Sequence, residues 1–167
     1  MAIPAAAALV QAQALPEQAR HLLQELDTVS AARVDPLYAI ALPGLVRTAL
    51  AVDDRLLARS LIEGVPVLTP IQQHTITVSR AQVAEADGDY AEAAALYADA
   101  AERWEQFGNL PERAYALLGQ GRCLQALDDP SADQPLNAAR ELFAAIGYRP
   151  ALAETQALLD QRELAAS

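Results

Sequence analysis

One stretch of the chain, residues 107–114, recurs further on as residues 146–153. A glycine, a proline and an alanine stand in the same order in both copies, and residues 100–102 fall on residues 139–141 at the same offset. A period of about 40 residues is typical of stacked helix pairs, because one pair alone cannot bury its apolar face. The repetition therefore predicts an array of helical hairpins.

The composition agrees with helix and argues against one class of partner. Hydrophobic residues make up 53% of the 167 residues but aromatic residues only 5%, so alanine and leucine, the strongest helix formers, dominate. The formal net charge is -10, and the basic residues are dispersed arginines with no lysine among them. An acidic chain without a basic face repels a phosphate backbone, so we expect no direct binding to nucleic acid. The exclusive use of arginine points to a GC-rich bacterial genome.

Capping residues divide the chain into helices. Asp35-Pro36 and Thr69-Pro70 predict helix starts, because each places a side-chain acceptor before a proline. Asp89 with Glu92 resembles a capping box. Helix ends are predicted at four glycines, which are Gly64, Gly88, Gly108 and Gly147. The predicted helices cover about 16–28, 36–51, 53–63, 70–87, 89–107, 111–127, 133–146 and 150–164.

Apolar stripes identify the faces that these helices bury. The clearest runs through Ala93, Tyr97, Ala100, Trp104 and Phe107 in steps of four and three. Two more stripes follow, formed by Ala114, Leu117, Gly121 and Leu124 and by Leu136, Ala139, Phe143 and Ile146. Gly121 is expected to let a neighbouring backbone approach closely, which would offset its cost of about 1 kcal/mol in helix propensity.

Two segments leave the helical prediction open to challenge. Residues 75–78 are β-branched and would suit a strand almost as well, but no partner strand is predicted, so residues 70–87 are assigned to a helix. Pro43-Gly44 is expected to kink or break the second helix.

The turn and helix at residues 88–93, followed by Leu96, Tyr97 and Ala100, resemble the turn and second helix of a tetratricopeptide repeat (TPR). Residues 121–127 similarly resemble the first helix of the next unit. The stretch 103–159 is similar to the C-terminal repeats of actinobacterial LuxR-type regulators and cyclase-associated signalling ATPases. The resemblance implies an all-α superhelical array of antiparallel hairpins with degenerate repeats, whose concave surface holds peptides or protein segments.

On this basis the chain is predicted to form a single TPR-like repeat domain over residues 1–167. Divergent hairpins are placed at 16–64, repeat units at 70–107 and 111–146, and a C-terminal capping helix at 150–164. The family-like placement puts six residues on the concave wall as a peptide-binding groove, namely Tyr115, Leu118, Arg122, Gln125, Gln82 and Val78. Tyr115 and Arg122 could anchor a peptide, or Tyr115 could simply pack against the next hairpin.

Residues that could carry chemistry are few, and their spacing does not favour it. His21 and His74 belong to no ligand pair, and the single Cys123 is expected to be a buried small hydrophobe. The acidic pairs at residues 53–54 and 128–129 fall at predicted turns, where aspartate caps helices. No phosphate loop or nucleophile elbow occurs. We expect no catalytic residue, no cofactor and no metal.

The N-terminal segment, residues 1–14, is largely apolar, but no basic residue precedes Arg20, so it is not expected to act as a secretion signal. No apolar run reaches the roughly 18 residues that span a bilayer, and we expect a cytoplasmic protein without membrane contact. The predicted function is a non-catalytic protein- or peptide-binding module with a regulatory or scaffolding role in bacterial signalling. A structural homo-oligomerisation domain, for instance a homodimer, is the alternative. A small helical enzyme is a third, weaker option.

Overall fold

A computed structural model describes residues 15–165. These residues form eight α-helices and two short 3₁₀ turns, at Ser30–Val34 and Pro130–Ala132, and no β-strand lies among them. The helices are α1 (Pro16–Thr28), α2 (Pro36–Ala51), α3 (Arg55–Ile62), α4 (Pro70–Asp87), α5 (Tyr90–Phe107), α6 (Leu110–Ala126), α7 (Asp133–Ile146) and α8 (Arg149–Ala165). The all-α prediction is confirmed. The judgement on a secretion signal concerns residues 1–14, which lie outside the described residues.

By their internal contacts the residues form two compact units, Met1–Asp87 and Gly88–Ser167. The first contains α1 to α4 and the second α5 to α8. The prediction of a single repeat domain stays a prediction.

The first unit is held by an apolar core to which α1, α2, α3 and α4 all contribute. Leu42, Val46 and Leu61 are fully buried at its centre, and Leu23 of α1 and Ile76 of α4 pack against the same cluster. Helix α2 carries only one charged residue in its 16 residues, as expected of a helix that is buried on most sides.

Local hydrogen bonds explain why residues 70–87 form a helix despite their β-branched run. Thr69 and Gln72 make a capping box in which Gln72 Oε1 accepts from the backbone nitrogens of Leu68 (2.8 Å) and Thr69 (2.9 Å). Within the helix, the hydroxyls of Thr75 and Thr77 donate to carbonyls of the preceding turn at 3.0 and 2.9 Å. The threonines are thus satisfied inside the helix, and the helical prediction is confirmed.

One local prediction was wrong, and another is decided only in part. Helix α2 (Pro36–Ala51) continues through Pro43 without a break, and the alternative of a kink at this proline stays a prediction. Asp89 is the residue before α5, but its carboxylate accepts no capping hydrogen bond, so the predicted capping box is absent there. The start signal at Asp35-Pro36 behaves as expected, since the Asp35 carboxylate accepts from Leu37 N at 2.8 Å.

A residue in the left-handed conformation follows most of the helices. The four glycines predicted as stops all have positive φ, between 73° and 88°. Asp53 and Asp128 take the same conformation, with φ of 57° and 54°, after α2 and α6. A left-handed residue ends a helix sharply, so the chain can turn back within a few residues.

The repetition in the sequence is matched by helix ends and by several buried positions in the second unit. After α5 and after α7, the backbone nitrogen that follows the glycine donates back across the helix end at 3.0 Å, from Asn109 to Trp104 and from Tyr148 to Phe143. Four pairs of positions related by the same offset are buried in both copies, namely Ala93 and Ala132, Tyr97 and Leu136, Ala100 and Ala139, and Trp104 and Phe143. One predicted member of the stripe differs, because Phe107 is 51% exposed and touches Trp104 edge-on.

Two glycines of α6 allow close packing inside this unit. A Cβ on Gly121 would lie 2.5 Å from side-chain atoms of Leu136, so the close approach predicted at this glycine comes from a side chain and not from a backbone. A Cβ on Gly119 would lie 2.4 Å from the ring of Tyr97, a contact that sequence reasoning did not predict. Helix α6 is therefore in close contact with both α5 and α7.

Candidate functional site

Two of the six predicted groove residues, Val78 and Gln82, belong to α4 in the first unit, and the structure buries both. Val78 is fully buried and Gln82 is 5% exposed. With the Gln82 amide oriented to suit both neighbours, its nitrogen donates to Pro43 O (3.3 Å) and its oxygen accepts from Arg47 Nη1 (3.1 Å). Gln82 thus links α4 to α2 at Pro43, a residue of α2 that has no backbone N–H to donate. Neither side chain offers an accessible contact for a ligand.

Tyr115 and Leu118 lie on α6 in the second unit and contribute to its packing. Leu118 is 1% exposed and belongs to the core formed with α7 and α8. The ring of Tyr115 meets Phe143 edge-on with centroids 5.1 Å apart, and it lies 6.5 Å from the ring of Tyr148. This geometry favours the packing interpretation of Tyr115 over the anchor interpretation.

Arg122 and Gln125, the other two predicted wall residues of this unit, are partly exposed. Arg122 Nη1 lies 2.8 Å from Glu154 Oε1 of α8, with both side chains partly exposed. Gln125 Oε1 is buried, and the described residues provide no hydrogen-bond donor for it. Glu154 was not predicted, because nothing in the local sequence relates it to Arg122.

A cleft between α7 and α8 is a second candidate, and sequence reasoning did not find it. It encloses about 240 Å³ and is lined by Asp133, Asn137, Arg140, Leu159, Arg162 and Glu163. The three residues from α7 follow one another at intervals of four and three, and those from α8 at intervals of three and one, so each set shares one face of its helix. This spacing was available in the sequence, but the pairing of the two helices was not.

Arg162 and Asp133 form an ion pair across this cleft, and Arg162 Nη2 also donates to Asp129 O at 3.4 Å. Asn137 Nδ2 donates to Asp133 O at 2.8 Å. Arg140 is partly buried and makes no hydrogen bond or ion pair with any described residue. The cleft is therefore lined by one paired and one unpaired arginine and by Leu159, which is buried.

In the first unit the most extensive polar cluster surrounds Arg33, whose role is structural. Its guanidinium donates to Glu63 O (2.8 Å) and Asp27 O (3.0 Å) and pairs with Asp27 Oδ1 at 2.5 Å. The Ser60 hydroxyl donates to the other Asp27 oxygen at 2.6 Å. Nearby, the buried phenol of Tyr38 donates to Leu61 O at 2.7 Å, and burial raises the pKa of this phenol to about 12.

His21 and the acidic pairs take the structural roles expected of them. His21 is exposed and lies 3.4 Å from Glu25 on the same helix. The carboxylates of Asp54 and Asp129 accept backbone hydrogen bonds from Leu57 (3.0 Å) and Ser131 (2.8 Å), which confirms the capping interpretation. The Ser131 hydroxyl and backbone hydrogen bonds lower the pKa of Asp129. Within residues 15–165, no group of three or more potential ligands could hold a metal ion.

Cys123 is buried, as predicted. None of the helices in the described part of the chain combines the length and the apolar character that crossing a bilayer requires. Comparison with known proteins identifies no relative, because no family model, no curated protein and no solved structure matches this chain.

Proposed function

We propose that this chain is a non-catalytic, cytoplasmic protein- or peptide-binding module of TPR-like helix pairs, with a regulatory or scaffolding role in bacterial signalling. The observation that carries the proposal is the recurrence of buried positions and helix-ending hydrogen bonds, at the offset of the sequence repeat, in the second unit. A chain that repeats one hairpin plan builds an extended surface from successive helices, which suits recognition of a protein segment better than it suits an enclosed reaction site.

Contacts inside the second unit support a stacked arrangement of pairs. Helices α6 and α8 are the first helices of consecutive pairs, and the ion pair of Arg122 with Glu154 joins them. The core of this unit also draws on both helices, through Leu118 and Leu159, around Phe143 of α7. Consecutive first helices that lie side by side form the concave wall of a TPR-like array, which is the surface we propose for binding.

The chemistry of this wall is polar. Arg122 and Glu154 are one-third to one-half exposed, and the unsatisfied Gln125 oxygen lies one turn further along α6. A bound segment could gain a charge-assisted hydrogen bond from either member of the ion pair. We therefore expect a partner segment with polar or charged side chains, bound with the modest affinity typical of exposed ion pairs.

A photo-cross-linking residue in place of Gln125 tests this proposal in extracts of the source cell. The expected result is a discrete cross-linked partner that is reduced by Arg122→Glu. The matched control variant is Arg149→Glu, which makes the same change of charge at an exposed arginine at the start of α8. A control cross-linker at Ala145, which is exposed on α7, should not capture the partner. Equal capture of the partner at both cross-linker positions, or an equal loss of cross-linking in both arginine variants, would contradict specific binding at this wall.

Self-association is a second candidate, and exposed apolar side chains of the first unit favour it. Leu22, Val34 and Leu37 are 64%, 66% and 67% exposed, although large exposed apolar groups are costly to leave in water. If they form an interface, light scattering over a dilution series should give an oligomer mass for the wild type and a monomer mass for Leu37→Glu. A monomer at every wild-type concentration would remove this candidate.

A further inference from the structure

The cleft between α7 and α8 owes most of its polar lining to four replacements within the repeat. At the equivalent positions of the preceding copy stand Ala94, Ala98, Ala101 and Cys123, where the cleft has Asp133, Asn137, Arg140 and Arg162. Three of the earlier residues, Ala94, Ala101 and Cys123, are buried. Small apolar residues let neighbouring helices pack closely, whereas long charged side chains hold them apart. The polar side chains of the cleft are thus specific to the last aligned pair.

Two arginines and two carboxylates line the cleft, but only one arginine, Arg162, forms an ion pair there. Asp133 and Arg162 neutralise each other as an ion pair, whose arginine side chain is 19% exposed. Arg140 is partly buried, and no described residue accepts a hydrogen bond from it, so its guanidinium donors are available to a ligand. Arginine presents five N–H donors in a planar fork that fits a carboxylate with two parallel hydrogen bonds. The unpaired group therefore suits a planar monoanion.

The other lining residues restrict which anion fits. Leu159 offers an apolar floor for a short aliphatic group attached to the anion. Asp133 and Glu163 border the same space, and their carboxylates disfavour a doubly charged phosphate more than a singly charged carboxylate. A volume of about 240 Å³ admits one small acid or one terminal residue of a peptide.

We propose that this cleft binds a carboxylate group carried on a short aliphatic chain, with Arg140 as its anchor and Leu159 as its apolar floor. The site is separate from the wall formed by Arg122 and Gln125, so it stands whether or not that wall binds a protein segment. The carboxylate could belong to a free short-chain acid or to the C-terminus of a peptide, and the experiment distinguishes these sources.

Titration of the whole chain with butyrate, followed by nuclear magnetic resonance of the backbone amides, is the first measurement. We expect saturable shifts in α7 and α8 with a dissociation constant on the order of 1 mM. The uncharged isostere butyramide and inorganic phosphate should each bind at least about tenfold more weakly. Absence of saturable shifts with butyrate and with the peptide described below, or equal binding of butyramide, would overturn the proposal.

Variants then assign the anchor. Arg140→Gln should weaken butyrate binding about tenfold or more, whereas Arg149→Gln, at an exposed arginine outside the cleft, should leave it unchanged. Unchanged melting temperatures would show that both variants remain folded, and unchanged affinity in folded Arg140→Gln would contradict the assignment.

A short peptide with a free C-terminal leucine and its amidated form complete the test. Tighter binding of the free-terminus peptide than of butyrate would identify a protein terminus as the source, and the reverse would identify a small acid.

Discussion

A Cβ atom on Gly119 of α6 would lie 2.4 Å from Cζ of Tyr97. The phenol ring of this α5 residue therefore occupies the space that a side chain at position 119 would need. Tyr97 is 2% exposed and cannot turn aside without disturbing the core around it. The glycine and the tyrosine therefore determine together how closely these two helices approach.

Gly119→Ala should destabilise the protein even though alanine is the better helix former. The gain in helix propensity is about 1 kcal/mol, and overpacking against a buried ring costs about 1–3 kcal/mol, so the net change should be a loss of stability. Urea denaturation of the wild type, of Gly119→Ala and of the same change in a Tyr97→Leu background measures this. If the cost persists unchanged without the ring, the steric explanation is wrong.

Gly108 and Gly147 provide a contrasting test, because a Cβ on either would meet nothing within 4 Å. Alanine at these positions is penalised only by the left-handed backbone, with φ of 80° and 75°. We expect each glycine-to-alanine variant to lose about 1 kcal/mol of unfolding free energy, and asparagine variants to lose less. A much larger loss at one position than at the other would contradict the equivalence of the two helix ends.

The sequence predicted helix positions well because the signals that end and begin helices are local. Glycine stops, proline starts and apolar stripes act within a few residues, and the helix bounds followed from them. The β-branched run in α4 was assigned correctly, although the Gln72 capping interaction that supports it was overlooked.

The candidate sites were less predictable, since they depend on contacts between residues far apart in the chain. The family-like placement assigned Val78 and Leu118 to a groove wall. Both are buried instead, because the helix faces that carry them meet neighbouring helices. The pairing of Arg122 with Glu154, and the cleft around Arg140, depend on how α8 packs against α6 and α7. No periodicity in one helix contains that information.

Arg33 should be a major contributor to the stability of the first unit. Its side chain is 14% exposed and bonds the carboxylate of Asp27 and carbonyl oxygens near the end of α3. Arg33→Met keeps most of the aliphatic packing but leaves these acceptors without their donor, so we expect a loss of about 2–4 kcal/mol. Arg55→Met, at an exposed arginine of the same unit, should change stability by less than about 0.5 kcal/mol. Equal effects in thermal or urea denaturation would disprove the role of this network.

Tyr38 should make stability depend on pH in the alkaline range. Its folded pKa is raised to about 12, above the ordinary value of 10.0, because burial disfavours the charged phenolate. Between these two values the unfolded chain loses a proton that the folded chain keeps, so the unfolding free energy should fall as pH rises from 10 towards 12. The full contribution, present below pH 10, is about 3 kcal/mol. Tyr38→Phe should be less stable at neutral pH, because Leu61 O loses its donor, but its stability should fall less steeply than that of the wild type above pH 10. Parallel pH profiles for the two proteins would be inconsistent with this assignment.

The ion pair of Arg122 with Glu154 offers a direct test of whether α6 and α8 lie side by side in solution. Its nitrogen and oxygen are 2.8 Å apart, but the side chains are 34% and 49% exposed, so solvent screens most of the attraction. A double-mutant cycle with Arg122→Gln and Glu154→Gln should therefore give a coupling of about 0.2–1 kcal/mol at low salt and less at high salt. A matched cycle that pairs Arg122→Gln with Glu141→Gln, at an exposed glutamate of α7, should show almost no coupling. Coupling that is equal in the two cycles would indicate a general effect of net charge, and it would remove the contact that supports stacking of the first helices.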